Sequence, residues 1–578
     1  MGQHTTSSER IDELPVLIYW LKQMRVDVII DKVLGAPHGN WDGLSYGEVA
    51  LVFIAHMVMR CTHFPSPVEA WAAQQLTSLS QALGKPVRAH DCTDDRLAVV
   101  LSKLGRVGEE ELRPGDTIEA ELGQHVIRAY ALPTETARID LTTVAVHHQP
   151  ADEEGLMRFG YSKDHRPDLR QFKALLGTLD PVGLPLATAT LSGEQSDDPQ
   201  YLPAWERLVA TIGRSDFLLV GDCKLASLAN RARIHHGGGC YLTPLPLTGQ
   251  TPAELQAWVL NPPQPPHAIR LPGQALDDPP VGQGFEVAVP CRWQDPDTHT
   301  EVTWTERRLV VQSATHAQAQ RASLQARLGK AQAALRALTT KPARDRVSLV
   351  TRAQAILTQY RVTDYLGVSV RERVTCRTTY VGRGRPGPQR PAVSRAIPTW
   401  TLTGHRRPAA LAVAERLAGW RVYVTNTPPQ RLSVAGAVNC YRQQWQPEHG
   451  FQRLKGGLLA LTPLFLRDAD RIRGLLVLLG IALRVLTLTE FVARRDLAAT
   501  GDTLPGLYAG NPKRTTAQPT AERLLSAFTP ITLYRHDTGT ATWYEVTPLS
   551  PLQRRILRAL GIPESVYAPP SAQLIHSG

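Results

Sequence analysis

The chain reads as an α/β core interrupted by a long, partly β insertion, with a helical region before it and a small α+β region after it. Three observations lead there. Two apolar, β-branched runs each carry an aspartate, Asp140 and Asp222, and two further apolar runs joined by a Pro/Gly turn lie between them. A lone glutamate, Glu448, sits far downstream in a basic, aromatic segment; no other acid occurs between Glu415 and Asp468. The distances along the chain are uneven, 82 residues from Asp140 to Asp222 and 226 from Asp222 to Glu448, and the second is too long for a minimal core.

Residues 1–132 form the first expected domain, which is helical. Apolar helical patterns recur at Pro15 to Met24, Tyr46 to Met59, Val68 to Leu83 and Leu97 to Leu104, punctuated by Gly35 to Gly43 and Gly84-Lys85-Pro86. The run HDCTDDR, His90 to Arg96, offers an N-cap for a helix starting near Asp94.

Residues 133–245 carry the first part of the core. ARIDLTTVAV (Ala137 to Val146) alternates as a half-buried strand does. Asp140 lies in its middle, where an unpaired charge is costly without a cation or hydrogen-bond partners. FKALLGTL (Phe172 to Leu179) and LPLATATL (Leu184 to Leu191) flank the turn Asp180-Pro181-Val182-Gly183 and predict a hairpin. An amphipathic stretch, Pro199 to Ile212, precedes DFLLVGD (Asp216 to Asp222), a buried strand that delivers Asp222 at its C-terminal end, where α/β sheets place their chemistry. For either aspartate the alternative is a turn cap or a buried salt bridge. Asp164 and Asp168, in GYSKDHRPDLRQ, read as turn and cap residues.

Residues 246–404 form the insertion. Strand-like runs Phe285 to Trp293 and Val368 to Tyr380 bracket a basic segment, Arg307 to Arg361, with eleven Lys/Arg against one acid, Asp345. That net +10 compares with +11 for the whole chain. Leu324, Leu328, Ala331, Leu335 and Leu338 recur at the helix period, Thr339 to Pro342 breaks it, and a second helix follows through Val347 to Tyr360. Such a helical hairpin either tracks phosphates or packs as a solvated pair on the core. Arg383, Arg385, Arg390 and Arg395 lie in an open Gly/Pro-rich loop suited to a DNA groove or backbone.

The core resumes over 405–499 with a strand, Gly419 to Asn426, and then YRQQWQPEHGFQRLK, Tyr441 to Lys455. On one continuous helix Tyr441, Gln444, Glu448 and Lys455 share a narrow sector. Pro447 either kinks that helix or begins a new one before Glu448. The apolar run Gly474 to Leu483 is read as a buried helix stopped by Arg484, too short to span a bilayer. Residues 500–578 contribute a Gly/Pro-rich linker, short strands near Ile531 and Trp543, and a helix from Pro551 to Leu560.

Composition agrees. A chain of 578 residues buries a large core in several domains, with ordinary apolar content that excludes a disordered protein. A pI near 9.4 points to a polyanionic partner. Seven scattered cysteines without C-x-x-C fit reduced thiols in a cytoplasm, and the N-terminus has no signal-peptide pattern. His147-His148 and His235-His236, read as following strands, join no Cys/His array of zinc spacing.

Tyr441, Glu448 and Lys455, with Trp445, resemble the Y-x2-R-x3-E-x6-K signature of bacterial insertion-sequence transposases that use an Asp-Asp-Glu (DDE) active site. Gln444 stands where that signature has arginine, with Arg442 and Arg453 as candidate replacements. The order strand, strand, strand, helix, strand, with acids on the first and fourth strands, is similar to the RNase H-like core of these enzymes. The resemblance spans roughly Ala137 to Arg495, and a large, partly β insertion at this point is also a family feature.

It implies a cut-and-paste DDE transposase in which Asp140, Asp222 and Glu448 hold two Mg²⁺ ions, with Mn²⁺ able to substitute. Water nicks one strand at the element's end, and the resulting 3′-hydroxyl forms a DNA hairpin that is reopened and joined to target DNA. Tyr441, Gln444 and Lys455, with Arg383 and Arg385, are the expected DNA contacts. Trp445 either stacks on an unpaired base or packs in the core. The N-terminal domain binds the terminal repeat or dimerises. Expected partners are transposon-end and target double-stranded DNA and a second copy on DNA, in a bacterial, nucleoid-associated, cytoplasmic setting without a membrane. The rivals are a structure-specific nuclease on the same fold and a non-catalytic, transposase-derived DNA-binding protein.

Overall fold

Strand β1 (Thr136–Val146) holds the middle of the core sheet, and its Ala137, Ile139, Leu141, Val144 and Val146 are buried. The computed structural model describes residues 5–571 and 573–574, apart from 109–112, 150–151, 153–154, 164, 276, 339, 341–342, 344, 512 and 539–540. β1 pairs antiparallel with β2 (Arg170–Leu179), and β2 with β3 (Leu184–Ser192) across the expected Asp180–Gly183 turn. Helix α1 (Tyr201–Ile212) leads to β4 (Leu218–Val220), which lies parallel to β1, and α2 (Leu228–His236) leads to β5 (Cys240–Pro244), parallel to β4. The strand order is β3-β2-β1-β4-β5, a three-strand meander continued by two parallel strands. His235 and His236 close a helix and do not follow a strand.

The chain forms two compact units, one of Met1–Thr243, Arg292–Trp304 and Cys440–Gly578, the other of Pro244–Cys291 and Thr305–Asn439. The second contains most of the insertion. Its strands include much of β6 (Gly282–Gln294) and β7 (Glu301–Ser313). Helices α3 (Ala314–Leu338) and α4 (Arg346–Gln359) are the basic hairpin. β8 (Leu366–Tyr380) and β9 (Ala392–Arg406) form a long two-stranded arm, and β10 (Trp420–Thr425) pairs with β7.

Leu324, Leu328, Ala331 and Leu335 of α3 pack with Leu349, Ala353 and Leu357 of α4 against Leu366 and Leu402 of the arm. The hairpin therefore has an apolar face of its own, and Arg321, Lys330, Arg346 and Arg352 remain exposed. Arg383 and Arg385 are exposed in the β8–β9 turn. Asp164, and Thr339, Lys341 and Pro342 of the break between the basic helices, lie outside the described residues. Asp168 is exposed and pairs with Arg166 at 2.8 Å.

The chain re-enters the first unit at Cys440, in the last turn of α5 (Val434–Arg442), and continues through α6 (Trp445–Lys455) and α7 (Ala469–Thr500). The N-terminal segment is largely helical, and it shares this unit with the core. Helix Asp94–Gly105 lies against α7 at glycines on both partners: a Cβ on Gly105 would meet the Asp470 carbonyl oxygen at 1.8 Å, and one on Gly474 the Leu101 oxygen at 2.0 Å. Thr93 caps that helix as read from the sequence. Val68 to Leu83 splits into two helices, and helices Val26–Leu34 and Pro114–Tyr130 were not anticipated. In the latter, a buried acid, Glu119, and two glycines blur the apolar period. Strand Thr5–Arg10, also unanticipated, pairs with Thr532–Asp537.

Arg484 does not stop α7. It is fully buried and donates to the carbonyls of Glu119 and Leu186. The Glu119 carboxylate, also buried, accepts from Thr188 and from Arg207. By length and composition α7 is apolar enough to cross a membrane, but 89% of its most apolar window is buried inside the protein. It is a core helix.

Candidate active site

Register brings the first two acids together. The parallel ladder ends with Arg138 opposite Val220. Two residues further along stand Asp140, within β1, and Asp222, just past the end of β4, and both line the same cleft. Asp222 is fixed from several directions. Its Oδ1 accepts from the buried Tyr201 hydroxyl at 2.7 Å and from the Lys224 backbone N–H at 2.9 Å, and its carbonyl accepts from Thr243 at 2.6 Å. Asp140 Oδ1 accepts from the Leu141 N–H at 2.8 Å. Lys163 reaches the same place from the β1–β2 connection, donating to the Leu141 carbonyl at 2.8 Å.

The Tyr441–Lys455 segment is two helices, not one. α5 ends at Arg442 and α6 begins at Trp445, so Tyr441 precedes the break and Glu448 follows it. Pro447 lies in the first turn of α6, where its missing N–H forfeits no helical hydrogen bond. That settles the choice between a kink and a new helix. Close packing sets α6 on the sheet: a Cβ on Gly450 would stand 2.8 Å from Leu176 Cδ2 of β2. Arg453 is buried and pairs with Glu490 of α7 and, at 2.8 Å, with Glu522. It anchors the helix and does not stand in for a missing arginine at 444. Trp445 is 54% exposed, which excludes core packing, and its indole N–H donates to Gln443.

These pieces line one cleft of about 710 Å³. Asp140, Asp222 and Glu448 face it, together with Tyr441, Gln444, Lys455 and Lys163. Arg383 and Arg385 are not among its lining residues; they belong to the insertion.

Burial, the largest cause, raises the Asp140 pKa from 3.8 to about 6; the Leu141 N–H and Lys163 oppose the rise, and the charges of Asp222 and Glu448 add to it. Two acids far from it in sequence thus act on Asp140 through space. The folded protein holds this proton more tightly than the unfolded chain does. The stabilisation from Asp140 is therefore complete below about pH 4 and is lost as pH rises through about 6. Above that, the ionised group costs roughly 3 kcal/mol, a debt that a bound cation offsets. Burial and the Asp222 charge lift the Tyr201 phenol well above its ordinary range, so it remains a hydrogen-bond donor to Asp222.

The donors of the three acids are all carboxylate oxygens, which suits a hard divalent cation such as Mg²⁺. Among the described residues no three His, Cys, Asp or Glu side chains are close enough to form a preformed metal cage. The acids share a cleft and a field, and their chemistry fits the ion.

Sequence reasoning missed Lys163, Tyr201 and Arg138. Lys163 lies in a loop without periodicity, and Tyr201 looked like one more apolar position of an amphipathic helix. Arg138 shares a strand face with Asp140, on a strand read only as half-buried. Two residues of the same parity and opposite charge on a buried strand were the available signal.

Residues 133–485 match the family model of the transposase DDE domain, a span that takes in Asp140, Asp222 and Glu448. The chain belongs to the transposase DDE domain family. This assigns it to DNA transposition, and to a family whose chemistry is DNA strand cleavage and transfer. Among solved structures, this DDE-family chain is similar to the piggyBac transposase in a synaptic complex with hairpin DNA, at 10% identity and a TM-score of 0.34, over 90% of this chain and 82% of that one. No curated protein matches the sequence.

Proposed function

We propose that this chain is a cut-and-paste transposase of a bacterial insertion sequence, acting on double-stranded DNA ends as a homodimer at the nucleoid. Asp140, Asp222 and Glu448 are its metal-holding acids. The observation that carries the reading is that these three carboxylates line one cleft, where burial and, to a smaller extent, the charges of Asp222 and Glu448 raise the Asp140 pKa.

A pair of Mg²⁺ or Mn²⁺ ions held there supplies activation of the attacking hydroxyl and stabilisation of the leaving oxygen. The chain does the rest. Tyr201 and the Lys224 N–H fix the Asp222 carboxylate, and β1 holds Asp140 beside it. Glu448 approaches from the first turn of α6, and the anchoring of that helix by Arg453 sets its reach. Tyr441, Gln444 and Lys455 on the cleft wall bind phosphate oxygens. The exposed Trp445 ring stacks on a base displaced from the duplex, which supports a DNA-hairpin route. The exposed cations of α3 and α4, with Arg383 and Arg385, bind phosphates nonspecifically and make affinity strongly salt-dependent.

The test uses duplexes taken from the DNA flanking the gene, incubated with the purified protein and Mg²⁺. Expected products are a nick at the element's end, a covalently closed hairpin on a denaturing gel, and strands joined to an added target plasmid. Cleavage with no joining on any such duplex favours a nuclease and contradicts the proposal.

A further inference from the structure

We propose that Arg138 is a positioning residue of the cleft, holding Gln444 so that its amide N–H₂ meets an oxygen of the bound phosphate. The inference rests on reading the cleft as a phosphodiester site and extends that reading to a group outside it.

Arg138 stands on β1 two residues before Asp140 and is fully buried. A buried guanidinium must find acceptors for its fork of donors. Here Nε and Nη2 both reach the Asp180 carboxylate at 2.7 Å, Nη2 donates to the Cys440 carbonyl at 2.9 Å, and Nη1 donates to Gln444 Oε1 at 3.2 Å. One side chain therefore ties β1 to the β2–β3 turn, to the last turn of α5 and to the residue just before α6.

That contact dictates the orientation of the Gln444 amide. A guanidinium only donates, so the amide oxygen must face Arg138 and the amide nitrogen must face away; the flipped amide sets N–H against N–H. The Gln444 Nε2 atom is buried and, among the described residues, has no hydrogen-bond partner. The residue itself lines the cleft beside Tyr441 and Glu448. A buried donor without an acceptor is costly, and its cost is relieved when a ligand supplies one. An anionic phosphate oxygen is the acceptor this site admits. A neutral donor also suits the place: it grips a phosphate without pairing with carboxylates that must remain available to cations.

The experiment compares Gln444→Met, which keeps the side-chain length and loses the amide, with Arg138→Lys and with the double variant, in the full chain. Readouts are cleavage of an end duplex, thermal melting, and binding to duplexes in which single phosphates near the cut are replaced by uncharged methylphosphonate. Gln444→Met is expected to cleave about 10²-fold more slowly with melting unchanged. Arg138→Lys, which keeps a charge by Asp180 but cannot span to Gln444 as well, loses a similar factor. The double variant loses no more than the worse single, because both act through one amide. Methylphosphonate at one position weakens binding by the unmodified protein, and Gln444→Met no longer senses that change.

Losses that multiply in the double variant, or Gln444→Met cleaving at the full rate, overturn the inference. Should Arg138→Lys fail to fold, Gln444→Met and the methylphosphonate series decide it. Activity lost in Glu448→Gln but intact in Gln444→Met sinks this inference alone; full cleavage by Glu448→Gln sinks the phosphodiester reading beneath it.

Discussion

Glu448→Gln is expected to slow DNA end cleavage by at least about 10³-fold while leaving fold and DNA affinity intact. The side chain is exposed at the first turn of α6, so its replacement by an isosteric amide strands no buried partner. Surface changes of this kind stay within about 0.5 kcal/mol. What is lost is one of three anionic oxygen donors in a cleft whose other acids come from β1 and the end of β4. Asp222→Asn should match it in activity, with an additional small loss of stability because the Tyr201 hydroxyl then donates to a neutral group. Cleavage kinetics alongside DNA binding measured without Mg²⁺ separate the two effects. Cleavage retained in Glu448→Gln would remove the acid from the reaction.

Arg453→Met carries the largest expected loss of stability. The guanidinium is 6% exposed and bridges Glu490 of α7 and Glu522, so its removal leaves two carboxylates facing a thioether. Removing one member of a buried ionic set costs about 3–5 kcal/mol. For a unit of this size that lowers the melting temperature by roughly 5 °C. Cleavage should fall as well, because α6 carries Glu448 and loses its tie to α7. Adding Glu522→Gln to Arg453→Met should recover part of the loss, because Glu490 keeps its pair with Arg494 at 3.2 Å whereas Glu522 loses the charge it faced. Differential scanning calorimetry reads both variants, and a melting shift under about 1 °C in Arg453→Met would mean that this set does not hold the helix.

The parts of the fold that sequence made legible are those whose stabilisation is local or periodic. β1, the β2–β3 turn and the run ending at Asp222 announce themselves through β-branched alternation and Pro/Gly chemistry, and those runs place two of the three acids. The basic hairpin was equally readable, since its leucines recur at the helix period. What stayed hidden depends on partners distant in the chain. Thr5–Arg10 is polar throughout and becomes a strand only because Thr532–Asp537 lies beside it. Arg484 read as a helix stop because its partners, the Glu119 carbonyl and the Leu186 carbonyl, lie about 300 residues or more earlier in the chain. The break between α5 and α6 has no glycine to mark it; the only cue was Pro447, three residues after Gln444. Arg138 and Asp140 share a parity that ordinarily faces water, and only the folded chain shows that face to be largely buried.

Manganese binding as a function of pH tests the shared-cleft claim most directly. Metal-free protein with an end duplex is titrated with Mn²⁺ between pH 5 and 8 and followed by electron paramagnetic resonance. The expected result is a magnetically coupled pair of ions per chain. Its affinity should level off above about pH 6 and weaken about tenfold per pH unit below it, as Asp140 takes up its proton. The coupling should vanish in Glu448→Gln. Binding that ignores pH across this range, or a coupled pair that survives loss of any of the three acids, contradicts a site built from Asp140, Asp222 and Glu448.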